Sequence, residues 1–101
     1  MTSIVLVHES FTLTTTPPAG AFWVDVAEIV AFKRDQWTTD LICIQLRLYD
    51  GTAIEIDEEM TGYQEFIARL TSQFALPPDW WSSVAFPAYK TNLRTIWPPN
   101  S

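Results

Sequence analysis

The segment LICIQLRLYDGTAIEI, residues 41–56, constrains the fold more than any other part of the chain. Apolar residues recur at every second position along its first half, which is the period of a β-strand with one buried face. An aspartate–glycine pair follows, where the chain can reverse direction. The segment therefore predicts a β-hairpin. Its first strand would bury Ile42, Ile44, Leu46 and Leu48, and would place Cys43, Gln45 and Arg47 on the opposite face.

The register of this hairpin follows from keeping its apolar residues on one face. A two-residue loop at Asp50-Gly51 would place the two apolar stripes on opposite faces of the sheet, which a half-buried sheet does not tolerate. A three-residue loop, 49–51, sets Leu46 opposite Ile54. It also puts Gly51 at the left-handed position that closes a type I turn with a G1 bulge. We therefore predict the three-residue loop.

Three more strands and two irregular segments are predicted elsewhere. Segment 16–21 contains a proline pair and a glycine and predicts a loop, and the tail 85–101 predicts irregular chain. The predicted strands are 3–7, 10–16 and 26–34. They are rich in β-branched and aromatic residues or alternate apolar residues with threonines. The expected apolar anchors of the tail are Phe86, Leu93, Ile96 and Trp97.

A single amphipathic helix is predicted after the hairpin. Thr61 and Gln64 have the spacing of a capping box at its start, and the proline pair at 77–78 would end it. Glu65 and Arg69 are spaced for an i,i+4 ion pair on its outer face. The apolar stripe, at helical period, consists of Tyr63, Phe66, Ile67, Leu70 and Phe74.

This order of elements predicts an α+β fold in which one main amphipathic helix packs on an antiparallel sheet of about five strands. The meander that leads into a helix is also similar to the second half of a pleckstrin-homology-like domain, where a C-terminal helix covers a curved sheet. A chain of 101 residues has the length of one domain. We expect that domain to span residues 1–97 and residues 98–101 to form a disordered tail.

Charge and cysteine content restrict the partners and the compartment. Twelve acidic and six basic residues give a net charge of −6. Because nucleic acids and anionic membranes are bound through many lysines and arginines, neither is an expected partner, whereas a basic protein is. Cys43 is the only cysteine, so no intrachain disulfide can form. The short apolar run at 4–7 is not a signal peptide, and we expect a cytoplasmic protein.

Several longer segments resemble a family of small uncharacterised bacterial proteins of this length. The resemblance is carried by AFKRDQWTTDLICIQL, EIDEEMTGY, VAFPAYKTN and the Ile-Trp pair near the end of the chain. It extends from Trp23 to Trp97 and implies a shared fold unit. It implies no activity, ligand or site residue.

Six carboxylates lie within residues 49–66, with no basic residue among them. A calcium-binding EF-hand loop counted from Asp57 fails, because its last position is Ala68 instead of Glu. Glu55 and Asp57 have a spacing that paired carboxylates show in glycosidases, but a cross-strand ion pair of Glu55 with Arg47 is the simpler explanation. Two interpretations stay open: a solvated edge next to the positive end of the helix, and an acidic ridge that faces a partner. The acidic ridge consists of Glu55, Asp57, Glu58 and Glu59.

No catalytic, metal or cofactor site is predicted. His8 and Cys43 are the only candidates for a Cys–His nucleophile, and Cys43 lies within a strand, away from any cation or helix start that would lower its pKa. No phosphate-binding loop or nucleophile-elbow motif is present. The neighbouring Trp80 and Trp81 cannot both face inward on a helix, so one of them is expected on the surface.

These observations predict a non-enzymatic acidic binding module, such as an antidote or immunity-type protein that caps a basic partner. The alternative is a self-associating structural or regulatory module, for example a homodimer that pairs through an edge strand or through the tryptophan pair. A small-molecule binder or an enzyme is the third possibility. The residues expected to bind the partner are Glu55, Asp57, Glu58, Glu59, Trp80 and Trp81.

Overall fold

The protein has an α+β fold of two antiparallel sheets and one α-helix. A computed structural model describes residues 2–36, 39–77, 79–81 and 93–98. The elements are β1 Ile4–Leu6, β2 Ser10–Leu13, β3 Ala19–Phe22, a short 3₁₀ helix Trp23–Asp25, β4 Val26–Gln36, β5 Thr39–Leu48, β6 Ala53–Asp57, α1 Tyr63–Phe74 and β7 Arg94–Trp97. The first sheet has the strand order β1-β2-β3, and the second has the order β6-β5-β4-β7.

The described residues form seven strands in two sheets, where about five strands in one sheet were predicted. The additional strands are β3, which was assigned to a loop, and β7, which was assigned to irregular chain. β3 pairs with β2, with Ala21 opposite Phe11, and β7 pairs with β4, with Trp97 opposite Ile29. Neither strand has a local alternation of its own. Both exist because a neighbouring strand supplies hydrogen bonds and apolar contacts, which local propensity does not report.

The hairpin β5–β6 has the predicted register and loop. Leu46 lies opposite Ile54, and the loop is residues 49–51. The Gly51 amide donates to the Leu48 carbonyl at 3.0 Å, and Gly51 has a φ of 93°. The Asp50 carboxylate accepts from the amide and hydroxyl of Thr52 at 2.9 and 2.6 Å, and these bonds lower the pKa of Asp50. The three-residue loop is therefore confirmed.

We expect Gly51→Val to lower the free energy of unfolding by more than about 1 kcal/mol, because a β-branched residue is strained at positive φ. A side chain at this position meets no atom within 4 Å, so the cost comes from the backbone and not from a clash. Urea denaturation followed by tryptophan fluorescence measures the change. Gly51→Asn is the control and should lose less free energy of unfolding, since Asn tolerates a positive φ better than Val does. An unchanged midpoint for Gly51→Val would contradict the left-handed loop.

The helix α1 begins and ends close to the predicted positions, but its cap differs. Gly62, with a φ of 91°, is the N-cap and provides no side-chain hydrogen bond, so the prediction of a Thr61 cap was wrong. The helix ends at Phe74, and Ala75, two residues before Pro77, has a left-handed conformation. In the described ranges no helix is long and apolar enough to cross a membrane.

The Arg69 side chain on α1 connects the helix to the first sheet. Its guanidinium donates to the backbone carbonyls of Val7 and His8 at 2.9 and 3.2 Å. The predicted ion pair of Arg69 with Glu65 is therefore absent from the described structure. The carbonyls of the β1–β2 turn lie within reach of the arginine once the helix packs on this sheet, and sequence spacing alone does not show that.

Both sheets and the helix share one continuous hydrophobic core. Phe11 of β2, Trp23 of the 3₁₀ helix and Phe66 of α1 meet in its aromatic centre, with ring centroids 5.2 to 6.0 Å apart. Of the predicted tail anchors, Ile96 is buried and Trp97 packs against the core, but Leu93 is exposed. The predicted anchor Phe86 lies outside the described residues, as do residues 99–101 of the predicted tail.

Candidate partner-binding surface

The first residue of the acidic ridge, Glu55, is held in an ion pair. Its carboxylate accepts from both terminal nitrogens of Arg34, at 2.7 and 3.2 Å. The prediction that Arg47 pairs with Glu55 was wrong, because Arg47 pairs with Glu28 at 2.7 Å. Arg34 lies on β4 and Glu55 on β6, so this bridge spans the central strand β5. Its hydrogen bond and charge raise the pKa of Arg34. Glu55 is therefore partly neutralised.

Two other ridge carboxylates stabilise the chain between β6 and α1. The Asp57 carboxylate accepts from the Glu59 amide at 2.9 Å, and the Glu58 carboxylate accepts from the Ile42 amide at 3.0 Å. Of the four ridge residues, only Glu59 has a carboxylate without a hydrogen bond or ion pair in the described structure, although Glu58 is also exposed. The ridge is acidic, and most of it has a structural role.

The tryptophan pair divides between the core and the surface. Trp80 is 6% exposed and belongs to the core cluster, whereas Trp81 is 49% exposed. This agrees with the expectation that adjacent helical positions cannot both face inward. Trp80 has no surface to offer a partner, and only Trp81 stays available for one.

The Cys43 thiol is placed as a core group. It lies in the middle of β5, is fully buried and donates weakly to the Leu41 carbonyl at 3.6 Å. Burial raises the pKa of Cys43 to about 11, so the thiolate needed for nucleophilic chemistry is disfavoured near neutral pH. His8 is exposed in the turn between β1 and β2, in the other sheet. Among the residues with described positions, no group of three or more His, Cys, Asp or Glu is arranged to hold a metal.

Three large apolar side chains form an exposed patch next to the junction of the two sheets. Phe22, Val24 and Tyr49 are 55%, 83% and 74% exposed. Each pair of them lines a common groove: about 520 Å³ for Phe22 and Tyr49, about 240 Å³ for Phe22 and Val24, and about 380 Å³ for Val24 and Tyr49. Each of the three side chains therefore shares a groove with each of the others. We call them the apolar patch.

The backbone holds the apolar patch in place. Phe22 ends β3 and Val24 lies in the 3₁₀ helix, while Trp23 between them points into the core. Tyr49 lies in the β5–β6 loop, and its amide donates to the Asp25 carbonyl at 3.1 Å. This bond ties the loop to the 3₁₀ helix, so the patch is built on hydrogen-bonded chain.

Carboxylates line two of the three grooves of the apolar patch. Asp25 and Asp50 line the groove between Phe22 and Tyr49, and Glu9 lines the groove between Phe22 and Val24. All three are exposed, and none forms an ion pair within the described part of the chain. We call Glu9, Asp25 and Asp50 the acidic rim.

The described basic side chains do not balance this negative surface. Arg34 and Arg47 are paired with glutamates, and Arg69 donates to backbone carbonyls. Lys33 is buried. Among the side chains with described positions, no basic residue forms an ion pair with the acidic rim or with Glu59 at the end of the ridge, and both present negative charge.

The sequence contained a signal for this patch that its interpretation missed. Tyr49 occupies a predicted loop position, where a large aromatic residue is not required for the turn. Phe22 and Val24 flank an inward tryptophan in the segment FWVD, for which no element is predicted. An exposed apolar patch surrounded by polar groups is typical of a protein-binding surface. No protein-family model, no curated protein and no solved structure matches this chain.

Proposed function

We propose that this chain is a non-enzymatic binding module that holds a basic protein through the apolar patch and the acidic rim. The observation that carries the proposal is that Phe22, Val24 and Tyr49 share grooves pairwise, and that carboxylates line two of these three grooves. Apolar area supplies most of the affinity at such a surface, and complementary charge steers a basic partner toward it. An antidote or immunity-type protein that covers a basic toxin would use a surface of this kind.

The apolar patch suits this role better than the acidic ridge does. A partner on the ridge would compete with Arg34 for Glu55 and with backbone amides for Asp57 and Glu58. The rim carboxylates of Glu9 and Asp25 have no such role in the described structure, and the hydrogen bonds of Asp50 stay within its own loop.

Self-association is the second candidate, and two observations favour it: β3 is an edge strand, and Trp81 is half exposed. Pairing through the apolar patch would be opposed by charge. In a symmetric dimer each patch meets its own copy, so the carboxylates of one rim would face those of the other. A monomeric mass in solution at low and high salt would remove this candidate.

The pleckstrin-homology-like architecture stays a prediction. Its support is the order β4-β5-β6-α1, an antiparallel meander followed by a helix. The separate sheet β1-β2-β3 and the strand β7 after the helix are differences from a single curved sheet that a C-terminal helix closes.

The test is affinity capture from an extract of the cells that contain the gene, with three baits compared side by side. The baits are the wild-type chain, a patch variant Val24→Ser/Tyr49→Ser, and a control variant Val5→Ser/Val7→Ser. The control removes one exposed apolar side chain from β1 and one from the turn that follows it, and neither residue lines a groove of the patch. We expect the wild type and the control to retain the same basic protein and the patch variant to lose it. Equal retention by all three folded baits would refute the proposal.

A further inference from the structure

We infer that the basic partner contributes an extended segment that adds as a strand to the free edge of β3. This inference rests on the proposed function and specifies how the partner binds. In strand addition, backbone hydrogen bonds supply affinity, and alternate side chains of the added strand supply specificity. Three observations lead to it: the open edge of β3, the direction of its backbone groups, and the groove beside it.

One edge of the first sheet is covered by another segment of the chain, and the other edge is open. The β1 edge is covered by the chain that precedes α1: the Ile4 amide donates to the Thr61 carbonyl at 2.8 Å, and the Thr61 amide donates to the Thr2 carbonyl at 3.1 Å. β3 has β2 on one side, and among the described residues no strand lies on its other side. Its sequence, AGAF, contains neither a charge nor a proline, the residues that usually protect an exposed edge.

The backbone amides of Gly20 and Phe22 point outward from this edge. The Trp23 amide donates to the Glu9 carbonyl at 3.0 Å. Trp23 and Glu9 are therefore a hydrogen-bonded pair of the antiparallel ladder, in which the backbone groups of both residues point toward each other. Bonding alternates along an antiparallel ladder, so Ala21 and Ala19 also bond to β2. The Gly20 amide and carbonyl and the Phe22 amide therefore face away from β2, and in the described part of the chain they have no other backbone partner. The Phe22 carbonyl belongs to the N-cap of the 3₁₀ helix and accepts the first hydrogen bond of that helix.

The groove beside β3 is lined by both apolar and acidic side chains, which suits an added strand with basic and apolar residues. Its volume is about 520 Å³, and it lies between the β2–β3 ribbon and the β5–β6 loop. Phe22 and Tyr49 offer apolar surface, and Asp25 and Asp50 offer carboxylates. An added strand that alternates basic and apolar side chains would meet both kinds of wall. A second copy of this chain would instead bring its own acidic rim, and its β3 has no basic residue.

The probe is a blocked nine-residue peptide that alternates lysine and valine. Amide hydrogen exchange of the ¹⁵N-labelled full chain is measured by NMR with and without saturating peptide. We expect exchange at Gly20 and Phe22 to slow by at least about tenfold, as each amide gains a hydrogen bond. Ala19 and Ala21 are internal controls, since their amides already bond to β2 and should change little. An Asp25→Asn/Asp50→Asn variant should bind the peptide more weakly.

The possible outcomes separate this inference from the proposed function. In one outcome, the Asp25→Asn/Asp50→Asn substitutions weaken peptide binding while the peptide leaves amide exchange at Gly20 and Phe22 unchanged. That result would overturn strand addition and leave the patch as the binding surface. If the variant binds the peptide as tightly as the wild type does, and NMR chemical-shift changes are confined to residues 57–59, both strand addition and the proposed function are overturned. Absence of binding at millimolar peptide would also overturn strand addition. Loss of the partner by the patch variant in the capture experiment tests the proposed function independently of the peptide.

Discussion

Phe66→Ala is expected to lower the free energy of unfolding by about 3–5 kcal/mol, the usual cost of removing a buried phenylalanine ring. Phe66 is fully buried, and its ring lies edge-on to Phe11 at 5.3 Å and tilted against Trp23 at 6.0 Å. The substitution would leave a cavity where α1, β2 and the 3₁₀ helix meet. For a domain with a total stability of about 5–15 kcal/mol, this loss is large. Urea denaturation followed by circular dichroism measures it.

Tyr49→Ala is the matched control for this prediction. Tyr49 is 74% exposed, so removing its ring should change the free energy of unfolding by only about 0.5 kcal/mol or less. The same comparison bears on function, because Tyr49 belongs to the apolar patch and should matter for binding without mattering for stability. Similar losses in the two variants would contradict the placement of Phe66 in the core or of Tyr49 on the surface.

Reversal of the acidic rim is the second large effect that we expect. Asp25→Lys/Asp50→Lys should slow association with the captured basic partner by about tenfold or more at low ionic strength, because complementary charge raises association rates by at least this factor. Stopped-flow kinetics at several salt concentrations measure the rate. The association rate of the variant should also depend less steeply on salt, since the charges that salt screens have been removed.

A ridge variant, Glu58→Lys/Glu59→Lys, is the control for the rim. It changes the same number of charges at the other acidic surface, and both residues are exposed. We expect a smaller decrease in association rate, because long-range attraction is reduced but the contact surface is intact. If the ridge variant slows association more than the rim variant does, the partner binds at the ridge, as the carboxylate-rich sequence first suggested. Equal rates for both variants and the wild type would refute electrostatic steering.

Local periodicity was sufficient to determine several parts of this protein. The hairpin register follows from side-chain alternation, because a shift of one residue would expose every apolar side chain of a strand. The helix follows from its apolar stripe and from the proline that ends it. The exposure of one member of the Trp80-Trp81 pair follows from helical geometry in the same way. Each of these features depends on residues that are close together in the sequence.

Tertiary structure alone decided the rest, including the candidate site. β3 and β7 form because β2 and β4 lie beside them, and Arg34 pairs with Glu55 because β5 brings two distant strands to its sides. The apolar patch and acidic rim combine the β1–β2 turn, the end of β3, the 3₁₀ helix and the β5–β6 loop. These segments are separated along the chain by up to about forty residues, and they meet only because both sheets bury their faces in one core. A pattern of neighbouring residues carries no information about such a meeting.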